Sequence, residues 1–284
     1  MDLKHLLKTP PWEWPKKAGT ILLGILSDKQ SDPDDRLVAA ELAGELVVMN
    51  DELAGALVGI VGKSDEPEDL RATVAIALGP VLEQGDMELL DDEGFDDAES
   101  VPISLGMFRN IQDSLRRVYL DDSNPKDVRR KALEASVRSR QDWLPDAIKS
   151  AYVSRDKDWV LTAVFAMGYV RGFESEILAA LDSGDPQIHF QAIRAAGNWE
   201  LDAAWPHAVK LIENPATPKP LLMAAIEAVG SIRPKEAGEI LAELAYSRDE
   251  DIAEAANEAM AMAQAPLDEP EDDENGEEGG GWIN

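Results

Sequence analysis

Residues 185–197 read Asp185-Pro186-Gln187-Ile188-His189-Phe190-Gln191-Ala192-Ile193-Arg194-Ala195-Ala196-Gly197. The stretch opens on an acid and a proline, residues favoured at a helix N-cap and first turn. Ile188, Ala192 and Ala195 stand three, seven and ten residues in, on one face of a 3.6-residue helix. Two of those three are small enough to let a neighbouring helix come close. Gly197 either ends the helix or removes bulk at a crossing, and the sequence leaves both open.

The same pattern begins at Asp32, Pro67, Pro125, Asp156, Asp185, Pro218 and Asp249, at spacings of 35, 58, 31, 29, 33 and 31 residues. The seventh residue on is Ala39, Val74, Ala132, Ala163, Ala192, Ala225 or Ala256. The twelfth is Gly44, Gly79, Val137, Gly168, Gly197, Gly230 or Ala261. Self-similarity at such a period marks a repeat architecture. Each unit has room for a second helix, and several of these open on proline, at Pro145, Pro206 and Pro234. Residues 15–28 match the last of them and are expected to cap the array as an orphan second helix. Trp14, Trp143 and Trp205 stand just before second helices and suit a hydrophobic staple.

The windows Asp32–Gly44 and Asp185–Gly197 resemble HEAT repeats, specifically the short phycobilisome-lyase-like type, and the resemblance covers about residues 32–263. It implies an all-α HEAT-type α-solenoid, an ARM-like right-handed superhelix of about seven helix pairs plus an N-terminal capping helix. It also implies that first helices form the convex face and second helices the concave face, where partners bind. The physics agrees that neighbours must stack, because one helix pair cannot bury its apolar stripe alone. The family often carries Arg at the fourth offset. Arg36, Arg71 and Arg129 match, whereas Val160, His189, Leu222 and Ala253 do not. An Arg ladder should therefore stop halfway. The expected organisation is a capping segment at 1–31, an array at 32–265 with an acidic loop insert at about 84–101, and an acidic tail at 266–284 too poor in apolar residues to fold.

Charge narrows the function. The chain has 284 residues, 56 Asp+Glu, 27 Lys+Arg, no Cys and a net charge of −29. Such acidity repels a phosphate backbone, so duplex nucleic acid is not an expected partner. The lack of Cys removes disulfides and thiolate chemistry. No apolar run near the N-terminus is long enough for a signal sequence or a membrane span, so a cytoplasmic monomer with no membrane partner is expected. Residues 72–108 hold nine acids and no base, and residues 268–284 hold eight acids and no base. Asp91–Asp97 does not fit a calcium loop, because the glycine comes fourth and Pro102 stands twelfth. Pro102 is expected to open the next second helix, with Phe108, Ile111, Leu115 and Val118 as its buried stripe.

Residues 109–140 carry nine bases against five acids. Arg109, Arg116, Arg117, Arg129 and Arg130 are the candidate partner-binding residues there, and the acidic insert is a candidate mask for them. The alternative is an ordinary solvated helix surface. Trp282 and Ile283, on the acidic tail, are candidates for docking in a groove; the alternative is a frayed end. His5, His189 and His207 show no metal-ligand spacing, and there is no phosphate loop or nucleophile elbow. No catalytic residue, metal or cofactor is expected. The leading expectation is a non-catalytic scaffold or adaptor that binds a protein or peptide on its concave face. The alternatives are a HEAT-like enzyme or enzyme subunit, resembling bilin lyases or alkylpurine DNA glycosylases, and an acidic chaperone-like binder of basic proteins.

Overall fold

The computed structural model describes residues 3–89 and 101–264. Most of the acidic insert and the whole tail, with Trp282 and Ile283, lie outside the described residues. The described residues form helices throughout, with no strand. First helices are α3 (Pro33–Leu42), α5 (Glu68–Ala77), α8 (Lys126–Ser136), α10 (Lys157–Met167), α12 (Pro186–Asn198), α14 (Lys219–Ile232) and α16 (Glu250–Gln264). Each begins one residue after a repeat start read from the sequence. Asp32, Asp156, Asp185 and Asp249 accept hydrogen bonds from the backbone N–H groups two and three residues on, satisfying donors a helix start leaves unpaired. Pro67, Pro125 and Pro218 hold the same place with φ between −60 and −55° and no capping side chain.

Second helices are α4 (Asp51–Val61), α6 (Gly79–Glu88) followed by α7 (Leu105–Leu120), α9 (Leu144–Val153), α11 (Glu174–Ala180), α13 (Trp205–Glu213) and α15 (Pro234–Leu241). Helix α2 (Ala18–Ser27) caps the array, preceded by the short α1 (Leu3–Leu6). The Trp14 indole donates to Leu6 O at 3.1 Å and Thr9 O at 2.8 Å, tying the entry of the chain to that cap. Two boundaries differ from the sequence expectation. Residues 84–88, expected in the loop, are helical. Helix α7 opens at Ser104, whose Oγ accepts from Met107 N, and not at Pro102; its buried stripe of Phe108, Ile111, Leu115 and Val118 is as expected.

The glycine question is answered by the crossings. A Cβ on Gly44 would lie 3.1 Å from Ala77 O, one on Gly197 3.0 Å from Ala228 Cα, and one on Gly230 3.0 Å from Ala259 Cβ. Gly44, Gly197 and Gly230 thus face the tenth-offset alanine of the next repeat, whereas Gly79 is covered by the Arg138 side chain. The seventh-offset residues, from Ala39 to Ala256, are fully buried. Small residues at both points let neighbouring first helices approach closely.

That closeness sets the curvature, and it reverses one expectation. Consecutive first helices pack side by side along the whole array. Consecutive second helices do so only at α2–α4 and α4–α7 and are splayed further on. A stack whose one layer is tight and whose other is splayed curves toward the tight layer. First helices therefore line the concave side, and second helices form the convex one.

Two kinds of polar rung hold the repeats in register. Arg36 donates to Leu26 O at 3.0 Å, Arg71 to Val61 O at 3.0 Å and Arg129 to Tyr119 O at 2.8 Å, each reaching the end of the preceding second helix. Arg36 also pairs with buried Glu66 at 2.8 Å. Past repeat three the ladder stops, as its missing arginines require. Lysines at the first offset take over: Lys126 bridges to Asp156 and Asp158, Lys157 to Asp185, and Lys219 to Asp249 and Asp251. These rungs are exposed to water and screened by salt, so each adds little by itself.

Candidate functional site

Offsets 3, 7 and 10 of a first helix face the core. Offsets 5, 9 and 13 sit one turn apart on another face, and three surface depressions are lined by it. The central one is a groove of about 600 Å³ that reaches from Ile76 in repeat two to Leu221 in repeat six. Its chemistry changes along the array. Repeat three contributes Arg130, Glu134 and Arg138; repeats four and five contribute Leu161, Phe165 and Phe190. The last three side chains are half-buried, packed on the core cluster on one side and open to the groove on the other. A solvated helix face would carry polar residues there.

The basic end of the groove is paired internally, except for the buried Arg138 Nε, which has no hydrogen-bond partner among the described residues. Arg130 donates to Thr162 Oγ1 at 3.0 Å and to Asp127 at 3.2 Å, and lies 3.8 Å from Glu134. Lys131 pairs with Glu134 at 2.7 Å, and Thr162 donates to the same carboxylate at 2.6 Å. Arg138 lies flat over Gly79, pairs with Glu83 and stacks 5.4 Å from the Tyr169 ring. This cluster bridges α8 to α6 and α10 and gives the groove a rigid polar shoulder.

The structure disperses the other candidate residues. Arg109, Arg116 and Arg117 are exposed on α7, in the convex layer. Arg116 lies 5.9 Å over the Trp143 ring, and Arg129 sits between Tyr119 and Trp159 at 5.9 and 5.6 Å. Trp143 and Trp159 both pack on Tyr119, with ring centroids 5.3 and 6.1 Å away. Arg129 also pairs with Asp122, while Arg130 turns to the concave side. The five arginines therefore do not form one patch. Two acids at the start of the expected insert do meet bases of 109–140: Glu83 pairs with Arg138, and Asp86 with Arg140 at 3.0 Å.

A pairing the sequence did not suggest joins His189 on α12 to His207 on α13, with Nε2 atoms 2.7 Å apart. Burial pushes both imidazoles below their usual range, with Asp182 opposing the shift. The two rings meet nearly head-on, with centroids 4.9 Å apart, so a single proton bridges them while a second would repel. Among the described residues no three His, Asp or Glu side chains converge to hold a metal ion, and no helix is long and apolar enough to cross a membrane.

Residues 174–261 match the family model of HEAT repeats. No curated protein matches the chain. Among solved structures, human deoxyhypusine hydroxylase in complex with glycerol is 14% identical, with 92% of this chain and 88% of that chain covered and a TM-score of 0.40. An engineered protein is 16% identical over 88% of this chain and 79% of its own, at a TM-score of 0.41. A second engineered protein is 16% identical over 88% of this chain and 99% of its own, at 0.35. Likenesses this distant carry no argument about activity.

Proposed function

We propose that this HEAT-repeat protein is a non-catalytic adaptor that holds an extended segment of a partner protein along the concave face of its first helices. One observation carries the reading. Leu161, Phe165 and Phe190 pack on the core with one side and line a groove of about 600 Å³ with the other, where their half-buried apolar surface stays open. Apolar side chains gathered in a concavity and rimmed by polar groups mark an interaction site. The polar shoulder of Arg130, Lys131, Glu134 and Arg138 adds donors and acceptors that fix a bound chain's register. The groove crosses several repeats, so an extended segment fits it better than a compact ligand. The protein acts in this role as a monomer in the cytoplasm.

The test is a selection of random peptides on the full chain, followed by affinity measurements. Selected peptides should be rich in aromatic and aliphatic residues. Phe165→Gln together with Phe190→Gln should weaken them at least about tenfold, the loss of roughly 1.4 kcal/mol. Ser150→Gln, on exposed α9 in the convex layer, should leave them unchanged. Equal affinity for both variants would overturn the reading.

A further inference from the structure

We infer that the C-terminal end of the concave face is a docking groove for a cationic, partly apolar peptide segment. The inference rests on the reading that the concave face binds partners and names the chemistry of one of them. The groove, of about 420 Å³, lies between α14 and α16. Half-buried Met223 belongs to its apolar floor, exposed Met262 stands beside it, and Glu200, Glu227, Glu254 and Glu258 stand around it. All four carboxylates are exposed, and none has an ion-pair partner among the described residues. Asp251, at the same groove, is already neutralised by Lys219 at 2.5 Å. No Lys or Arg lines it.

The arrangement follows from the repeat. Met223 and Glu227 occupy offsets 5 and 9 of repeat six, and Glu254, Glu258 and Met262 occupy offsets 5, 9 and 13 of repeat seven. Two neighbouring helices thus interleave carboxylates with thioethers at one-turn spacing. Methionine floors adapt to the shape of what they receive. The carboxylates are spread along the helices, and no three of the described acids converge on a point that a metal ion would occupy. Such spacing suits several side-chain cations, each a turn or a few residues apart, with apolar side chains between them.

Charge selects the occupant. The chain's own tail would bring the eight acids of residues 268–278 against the groove, within the screening length of about 8 Å. A second copy would bring a chain of net charge −29. Either would set carboxylates against carboxylates. A segment carrying Lys or Arg with interspersed Leu or Met answers both the rim and the floor.

The experiment uses the full chain and fluorescence anisotropy of a labelled helix-forming peptide of Lys and Leu. Glu227→Gln, Glu254→Gln and Glu258→Gln together should weaken it about tenfold, and rising salt should erase the difference. The same three-charge change on the convex layer, Glu236→Gln, Glu239→Gln and Glu243→Gln, should weaken it less than about twofold, since those charges act only at long range. A Lys and Ser peptide should bind at least about tenfold more weakly than the Lys and Leu one, because it cannot use the methionine floor. Equal effects of the two triple variants, or equal affinity of the two peptides, would overturn the inference. So would a gain in affinity on Trp282→Ala with Ile283→Ala, which makes the tail the occupant. A dimer that the groove variant dissociates would do the same, making a second copy the occupant. Phe165→Gln with Phe190→Gln should leave this peptide's affinity unchanged. If the cationic peptide fails while selected peptides still require Phe165, this inference falls and the wider reading stands; if they do not require Phe165, the wider reading falls by itself.

Discussion

Gly197→Ala tests the packing that makes the concave face. Gly197 lies inside α12, so its replacement by Ala gains about 1 kcal/mol of helix propensity. The new methyl, however, would meet Ala228 Cα at 3.0 Å and Ala228 Cβ at 3.2 Å on the next first helix. Backbone on both sides must give way, and overpacking of this kind costs about 1–3 kcal/mol. The net expectation is a loss of about 0–2 kcal/mol. Gly59 is the control: it lies inside α4, and a Cβ there meets nothing within 4 Å. Gly59→Ala should gain the full ~1 kcal/mol. At about 2–4 °C per kcal/mol for a chain of this size, the two variants should move the thermal midpoint in opposite directions and end several degrees apart. Ala228→Gly added to Gly197→Ala should recover part of the loss, giving a coupling energy of about 0.5–3 kcal/mol. Circular dichroism melts measure all of these. A midpoint that rises as much for Gly197→Ala as for Gly59→Ala would mean that first helices do not cross at this glycine, and the argument for curvature would fail with it.

Other outcomes follow from the rungs, the histidines and the shape. Arg36→Met leaves Glu66, whose side chain is 4% exposed, with only Lys29 at 3.7 Å, and should cost up to about 3 kcal/mol; adding Glu66→Leu should recover most of it in urea denaturation. Arg36 holds the Glu66 carboxyl below its ordinary range, so its contribution is present above the unfolded value and lost as pH falls through the folded one. Arg36→Met should flatten the stability profile in that acid window. His189 and His207 are both depressed, so the unfolded chain takes up protons near the ordinary histidine range while the folded chain resists. Stability should therefore fall as pH drops through and below about 6.5, and His189→Gln should reduce that slope. Glu200 adopts φ 51°, at the end of α12, where a side chain costs about 1 kcal/mol and glycine is at ease. Glu200→Gly should raise the melting midpoint while weakening the cationic peptide. Small-angle scattering of a chain ending at Ala265 should give a radius of gyration well above the ~19 Å of a compact globule.

Helix starts were legible because N-cap chemistry is local. Asp156 or Asp185 needs only the next three residues to define its role. The stripe of Ala192 and Ala195 was legible because its periodicity belongs to one helix. The concave layer was not, since it depends on how Gly197 meets Ala228 about thirty residues away, and on the absence of an equal match between second helices. The signal was present: offset 5 turns apolar at Leu161 and Phe190 and offset 9 at Phe165, where a wholly solvated face would carry polar residues. Arg138 and Arg140 pair with Glu83 and Asp86, more than fifty residues earlier, acids at the border of the insert that the charge pattern had set against the basic stretch; which base meets which acid is a tertiary matter. His189 and His207 stand eighteen residues apart on different layers, a spacing that no single-helix pattern links.

The central claim is that partners lie along the first helices and not the second. A photo-crosslinking amino acid placed at Phe165, on the concave face, and separately at Ser150, on convex α9, tests it directly with a peptide selected on the unmodified chain. The account predicts a covalent adduct from position 165 and none from position 150. An adduct from position 150 with none from position 165 would contradict it.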